Sequence, residues 1–356
     1  MMLQDKIRGS LVGGAIGDAL GYPVEFVGSI QDIQKKYGLQ GITLFDTHPY
    51  WLKEEEQTGK AIISDDTQMT LFTINGVLNA IDKGTPLLDG IRNAYLEWFF
   101  TQTGEDVHKP HECWLTEVPE LNHRRAPGNT CITALAAIAR NQLPRNNSKG
   151  CGGVMRIAPI PLYAVVKGMD IAESDLLAGE VAQLTHLHPL GVIPAALMAH
   201  LIYRLLEKEK PIADDVVRAL EEGTKLLNTI YAGKEDWNLY LNYQRKLINK
   251  ALELAANNEE DAVNIDRLGG GWVAEETLAI AIYSVMRHFD NFERAIIASV
   301  NHGGDSDSTG AVTGNIIGTV FGYNAIPDYF RDDLELHEVI LKMADDLYES
   351  GLNKHI

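Results

Sequence analysis

The 356-residue chain contains only three cysteines, Cys113, Cys131 and Cys151, and no two of them form a CxxC pair. Three thiols cannot all pair, so no disulfide framework is expected, and the count suits a reducing, cytoplasmic setting. Positive charge is also scarce: 31 Lys and Arg stand against 49 Asp and Glu, for a net charge of −18. That balance argues against a nucleic-acid partner and against an anionic membrane surface. A phosphorylated small ligand remains compatible with it, because a glycine loop at a helix start holds phosphate without net positive charge. The opening MMLQDKIRGS lacks the apolar stretch of a signal peptide. The longest apolar run, Leu190 to Leu206, is interrupted by His200 and Arg204 and reads as a core helix rather than a membrane span. Sustained period-two alternation is missing as well, so no strand is expected.

What is present is helical spacing. Leu3, Ile7, Leu11 and Ala15 recur every four residues, and a 45% hydrophobic content is ample for a core. Gly9, Gly13, Gly14 and Gly17 weaken that first helix, which assigns them to close packing against another helix. Pro23 ends it, leaving Glu25 in a loop as a solvated acid. Residues 31–60 read as a helix-poor surface loop and residues 101–125 as a long loop over a site. Further helices are expected after Asp66, around Ile91 to Phe99, from an Asn129 cap, before Pro189, across the charged segment 207–266, and from about Leu334 to Leu347. The expected fold is all-α, a single-domain helical bundle over 1–356.

Two stretches carry the chemistry. In NHGGDSDSTGAVTGNIIG, Asp305 and Asp307 stand among Ser306, Ser308 and Thr309, behind Gly303 and Gly304, which let backbone approach a ligand. ISDDTQM repeats the pattern with Ser64, Asp65, Asp66 and Thr67. Alone, each reads equally well as an acid-capped helix start. Together they bring four carboxylates that repel one another unless a cation or proton intervenes. An EF-hand is excluded, since the twelfth position from Asp305 is Ile316 rather than Glu. HKPHECW lacks the second His of a zinc HExxH helix, and hard oxygen donors favour Mg²⁺ or Mn²⁺. SKGCGGVMR is no P-loop, yet Gly150, Gly152 and Gly153 can present N–H groups to a pyrophosphate. Arg156 beside them reads as a structural ion-pair residue, and Trp272, in GGGWVAEE, as a seal over a pocket.

SDDTQM and GGDSDS, together with GGAIGDALGYPVEF and SKGCGGVMRIAP in that order, resemble the ADP-ribosylglycohydrolase family from about Ile7 to about Leu347. The resemblance implies an all-α fold and two Mg²⁺ ions, with Mn²⁺ as a substitute. Their implied ligands are Ser64, Asp65, Asp66, Asp305, Asp307 and Ser308. It implies that Asp66 or Asp305 orients or deprotonates a water, and that Glu25 reaches the metals on a mobile flap or protonates the leaving group. Gly128, Asn129 and His186 are implied at the ligand pocket, beside the glycines already named. Cys151 stands where much of the family has Asn, and Ser308 where Thr is usual. The implied activity is release of ADP-ribose from a protein side chain, arginine first, with ADP-ribosylated protein and ADP-ribose as partners. Serine-linked or O-acetyl-ADP-ribose, or silent ADP-ribose binding, are the alternatives. Oligomeric state is not written in the sequence.

Overall fold

The glycines that weaken the first predicted helix turn out to be the contact surface of the fold's central helix pair. In the computed structural model, which describes residues 1–54, 57–104 and 111–352, α1 (Leu3–Gly21) lies antiparallel to α14 (Ser306–Phe321). A Cβ on Gly9 would lie 2.4 Å from the Gly318 carbonyl oxygen, one on Gly13 2.5 Å from that of Gly314, and one on Gly17 2.0 Å from that of Gly310. The same clash holds in reverse, with a Cβ on Gly314 1.9 Å from the Gly13 oxygen. Any side chain in this ladder would push the two backbones apart. The ladder brings the end of α1 to the start of α14.

Around this pair lie α2 (Ile30–Tyr37), α3 (Asp65–Lys83), α4 (Leu87–Thr103), α5 (Asn129–Ala139), α6 (Pro159–Lys167), α7 (Ile171–Gln183) and α8 (Pro189–Leu206). The chain continues with α9 (Ala213–Ile230), α10 (Trp237–Ala255), α11 (Asp261–Asp266), α12 (Ala274–Arg287), α13 (Phe292–Val300), α15 (Asp328–Asp332) and α16 (His337–Leu352). No strand occurs among the described residues, only isolated bridges at Ala61–Leu334 and Gly150–Val273. The helices share one continuous apolar core. The charged segment forms α9 to α11, with α9 and α10 packed on α8 and α10 on α12. By length and composition α8 is apolar enough to cross a membrane, and 83% of it is buried within the fold.

Several local expectations need correction. Residues 31–60 are not helix-poor throughout, because Ser29 caps α2 by accepting the Asp32 N–H and Ile30, Ile33 and Tyr37 form its inward stripe. Helix α4 runs to Thr103, and short 3₁₀ turns at Trp114–Glu117 and Pro119–Asn122 replace part of the predicted loop over residues 101–125. Residues 105–110, and with them the first three residues of HKPHECW, lie outside the described residues. Pro189 opens α8 rather than closing a helix, with His188 Nδ1 accepting the Leu190 N–H at 3.0 Å. Asn129 is the first helical residue of α5 rather than its cap; Gly128 takes the cap position and donates to Asp65 at 3.2 Å. Arg156 is structural but makes no ion pair among the described residues. Its buried guanidinium donates to Thr185 Oγ1 at 2.6 Å and sits 4.5 Å from the Tyr95 ring centroid.

Candidate active site

Three helix ends converge on one cleft. Asp18, in the last turn of α1, accepts the Ser64 N–H at 3.0 Å and the Thr67 N–H at 3.1 Å, and the Thr67 hydroxyl donates to the same carboxylate. It thereby holds the start of α3, where Ser64 Oγ caps by accepting the Asp66 N–H at 3.2 Å. Asp65 N–H donates to the Arg125 carbonyl at 2.9 Å, and Arg125 is locked by a buried ion pair with Glu335 at 3.4 Å. At the third helix start, Asp305 N–H donates to the Gly270 carbonyl at 2.8 Å. That glycine loop is itself fixed by Glu276, whose Oε2 accepts the N–H groups of Gly270 and Gly271 at 3.0 and 3.2 Å.

The cleft, about 200 Å³, is lined by Glu25, Asp65, Asp66, Asp305, Asp307 and Ser308 on one side and by Gly128 to Cys131, Gly150 to Gly152 and His186 on the other. Carboxylate oxygens of Glu25, Asp305 and Asp307 all lie within 4.8 Å of one another. The acids are buried, with Glu25 8% exposed rather than solvated, and Asp66 and Asp307 each 2%. Burial first, then repulsion from Asp307, pushes the carboxyls of Asp65, Asp66 and Asp305 well above the ordinary range. The same causes in the same order raise Asp18 to about 7 and Glu25 to about 12. Asp66 Oδ2 and Glu25 Oε2 are buried without any hydrogen-bond partner. Hard oxygen donors crowded together, with orphaned lone pairs and no Lys or Arg among the cleft-lining residues, fit a hard divalent cation.

The remaining predicted residues divide. His186 reaches the cleft as a neutral ring, its Nδ1 2.8 Å from Thr185 Oγ1, and burial followed by the Arg156 charge lowers it to about 3. Gly150 and Gly152 pass close to it: a Cβ on Gly152 would lie 2.9 Å from the His186 ring. Asn129 sits exposed at the rim. Ser64 Oγ caps α3 and also hydrogen-bonds the Asp307 carboxylate, one layer behind the cleft lining. Gly153, Gly303 and Gly304 do not line it either. They are glycines because backbone crosses there, a Cβ on Gly304 falling 2.0 Å from the Gly270 oxygen and one on Gly153 2.8 Å from the Gly191 oxygen. Cys151 lines the cleft with its thiol pushed up by burial and by Asp305. Trp272 stands at the mouth, its ring stacked on Phe26 with centroids 6.1 Å apart. Asp18 was missed by sequence reasoning. The signal available was an acid one residue after Gly17, in the glycine-rich GGAIGDALG end of α1.

A profile of the family described as ADP-ribosylglycohydrolase matches residues 1–355. ADP-ribosylhydrolase ARH3 from Gallus gallus is 30% identical over a match covering 59% of this chain and 60% of that protein. The human protein of the same name is 28% identical over 96% of this chain and 93% of its own. ADP-ribosylarginine hydrolase Tri1 from Serratia proteamaculans is 24% identical over 97% of this chain and 79% of its own. Among solved structures, an ADP-ribosylglycohydrolase-related protein complex matches with a TM-score of 0.61 and 20% identity, covering 98% of this chain and 99% of that one, which shows the shared fold.

Proposed function

Because the chain belongs to the ADP-ribosylglycohydrolase family, we propose that it is a cation-dependent hydrolase that releases ADP-ribose from modified arginine side chains. The observation that carries the reading is the convergence of Glu25, Asp65, Asp66, Asp305 and Asp307 on one cleft, with lone pairs of Glu25 and Asp66 unpartnered. Asp65, Asp66, Asp305 and Asp307, with Ser64 and Ser308 beside them, would hold two Mg²⁺ or Mn²⁺ ions. Bound there, the ions would supply a clamp on the ribose hydroxyls and a lowered pKa for the attacking water.

The protein's own groups account for the rest. Asp66 or Asp305 takes the water's proton as its oxygen bonds to the anomeric carbon. The carbon–nitrogen bond to the guanidine breaks in the same displacement, and the ring charge that builds is offset by the surrounding carboxylates. Glu25, buried beside these acids, donates a proton to the departing nitrogen. On the opposite wall the Gly150 N–H donates to Ser148 Oγ and the Cys151 N–H to the Trp272 carbonyl, each at 3.3 Å, so the Gly152 N–H and the neutral His186 are the groups there that would meet a diphosphate.

For the arginine linkage the support is the similarity to Tri1. The ARH3 proteins carry a name that specifies no linkage, so release from serine or from O-acetyl-ADP-ribose stands as the second reading. The test is ADP-ribose release from an arginine-modified protein and a serine-linked peptide in parallel, with Mg²⁺ and then with excess EDTA. Cation-dependent release from arginine is expected. Release from serine alone overturns the linkage, and release unaffected by EDTA overturns the cation site.

A further inference from the structure

A second recess opens on the other side of Glu25. Tyr22, Pro23, Phe26, Val27, Tyr50 and Trp51 line a pocket of about 310 Å³. Its rings face outward: Phe26 is 72% exposed, Tyr50 82% and Trp51 38%. Contiguous exposed aromatic surface of this kind marks a binding face.

The pocket adjoins the acid cleft without sharing a lining residue with it. Tyr22, Pro23 and Phe26 flank Glu25 along the chain, and Phe26 stacks on Trp272 at the mouth of the cleft. Tyr22 forms the wall on the pocket side. It packs edge-on against Trp51 with centroids 4.8 Å apart, and its neighbour Gly21 lies so close to α14 that a Cβ there would meet the Ser306 oxygen at 2.2 Å. Behind that wall lie Asp18, Asp65, Asp66, Asp305 and Asp307 together with the proton-donating Glu25, and two divalent cations would leave the five ionised carboxylates net negative by one. The ring of Tyr50 already has a cation near its face, Lys36 Nζ at 5.1 Å from the centroid, and that charge is offset by Asp46 at 3.0 Å.

Aromatic faces over a negative background select a cation that is itself flat and weakly hydrated, which describes a guanidinium better than an ammonium. A serine hydroxyl or an acetyl group offers neither the charge nor the plane. We propose that this aromatic pocket is the acceptor subsite, holding the guanidinium-bearing arginine segment of the ADP-ribosylated substrate while the ADP-ribose occupies the acid cleft. The inference rests on the arginine reading and adds the surface that selects it.

The experiment uses the full chain with Mg²⁺ and ADP-ribose present. Agmatine, a free guanidine, is titrated by calorimetry into the wild type, the double variant Tyr50→Ala/Trp51→Ala, and Trp51→Phe. The KM for an arginine-ADP-ribosylated peptide is measured on the same three proteins, and thermal melting confirms that each is folded. The double variant should weaken agmatine binding and raise KM by about tenfold each, with kcat and ADP-ribose affinity unchanged, while Trp51→Phe keeps most of both. Agmatine affinity and KM equal to wild type in the double variant would overturn the subsite. Failure of the arginine reading shows separately, as serine-only release by the wild type. In that event agmatine binding lost in the double variant would still support a guanidinium pocket, and absence of agmatine binding to the wild type would overturn it.

Discussion

Replacing Gly17 with Ala tests whether the α1–α14 ladder sets the geometry of the acid site. The new Cβ would lie 2.0 Å from the Gly310 carbonyl oxygen and 2.3 Å from its carbon. Non-bonded heavy atoms want roughly 3.5 Å, so the helices must separate by on the order of 1 Å, and no flexible side chain is available to give way. Overpacking of this kind costs about 1–3 kcal/mol, and backbone on both sides puts Gly17 at the upper end. The better helix propensity of Ala returns up to about 1 kcal/mol, for a net loss of about 2 kcal/mol. At about 2.1 cal/mol/K of unfolding entropy per residue, 356 residues make that a Tm loss of roughly 3 °C. The same separation moves Asp18 and Glu25, at the end of α1, away from Asp305 and Asp307, whereas a working site tolerates displacements of about 0.5 Å. Cation affinity measured by calorimetry should therefore fall together with Tm, and turnover should fall with both. Gly28→Ala is the control, because its Cβ would meet nothing within 4 Å. A Gly17→Ala protein with wild-type Tm and cation affinity would refute the packing argument.

Three further predictions concern the acids. Asp307 is the first-ranked repulsive neighbour of Asp18, Glu25, Asp65, Asp66 and Asp305. Asp307→Asn should therefore abolish cation-dependent turnover while leaving Tm in EDTA unchanged or raised, and retained turnover would contradict its assignment. Asp18→Ala strands the N–H groups of Ser64 and Thr67 and the Thr67 hydroxyl. At about 1–3 kcal/mol per buried group, thermal denaturation should show a larger loss than for Asp18→Asn, which keeps an acceptor oxygen; equal losses would argue against the clamp. The folded-state value of Asp18, about 7, is above its ordinary 3.8, so its contribution to stability is complete below about pH 4 and lost as pH rises through 7. A cation that takes over from the lost protons reverses this, so the Tm difference between Mg²⁺ and EDTA should grow from pH 5 to pH 8. A constant difference would place the cation elsewhere.

The helical fold was legible because every predicted helix rested on local spacing: Leu3, Ile7, Leu11 and Ala15 need no knowledge of their partners to form a stripe. Errors fell where a short local signal was overlooked or mis-weighted. The Ser29 cap of α2 was hidden among polar neighbours, and Pro189 serves a helix start as readily as a helix end. Both acid clusters were also legible, since adjacent carboxylates at helix starts are chemically conspicuous wherever the helices lie.

The sequence by itself determined which residues could bind a hard cation and which glycines had to pack against backbone. Only the tertiary structure decided that Gly9, Gly13 and Gly17 face Gly318, Gly314 and Gly310, and hence that the two acid clusters meet. It also separated the glycines that border the cleft, Gly128, Gly150 and Gly152, from Gly153, Gly303 and Gly304, which are small because another backbone crosses them. Glu25 changed from a loop acid to a buried one for the same reason. Solvation and electrostatic environment are properties of what surrounds a side chain, and for Asp18 and Glu25 the surroundings come from segments up to about 290 residues away in the chain, a separation at which contacts are set by the assembled core rather than by local propensity.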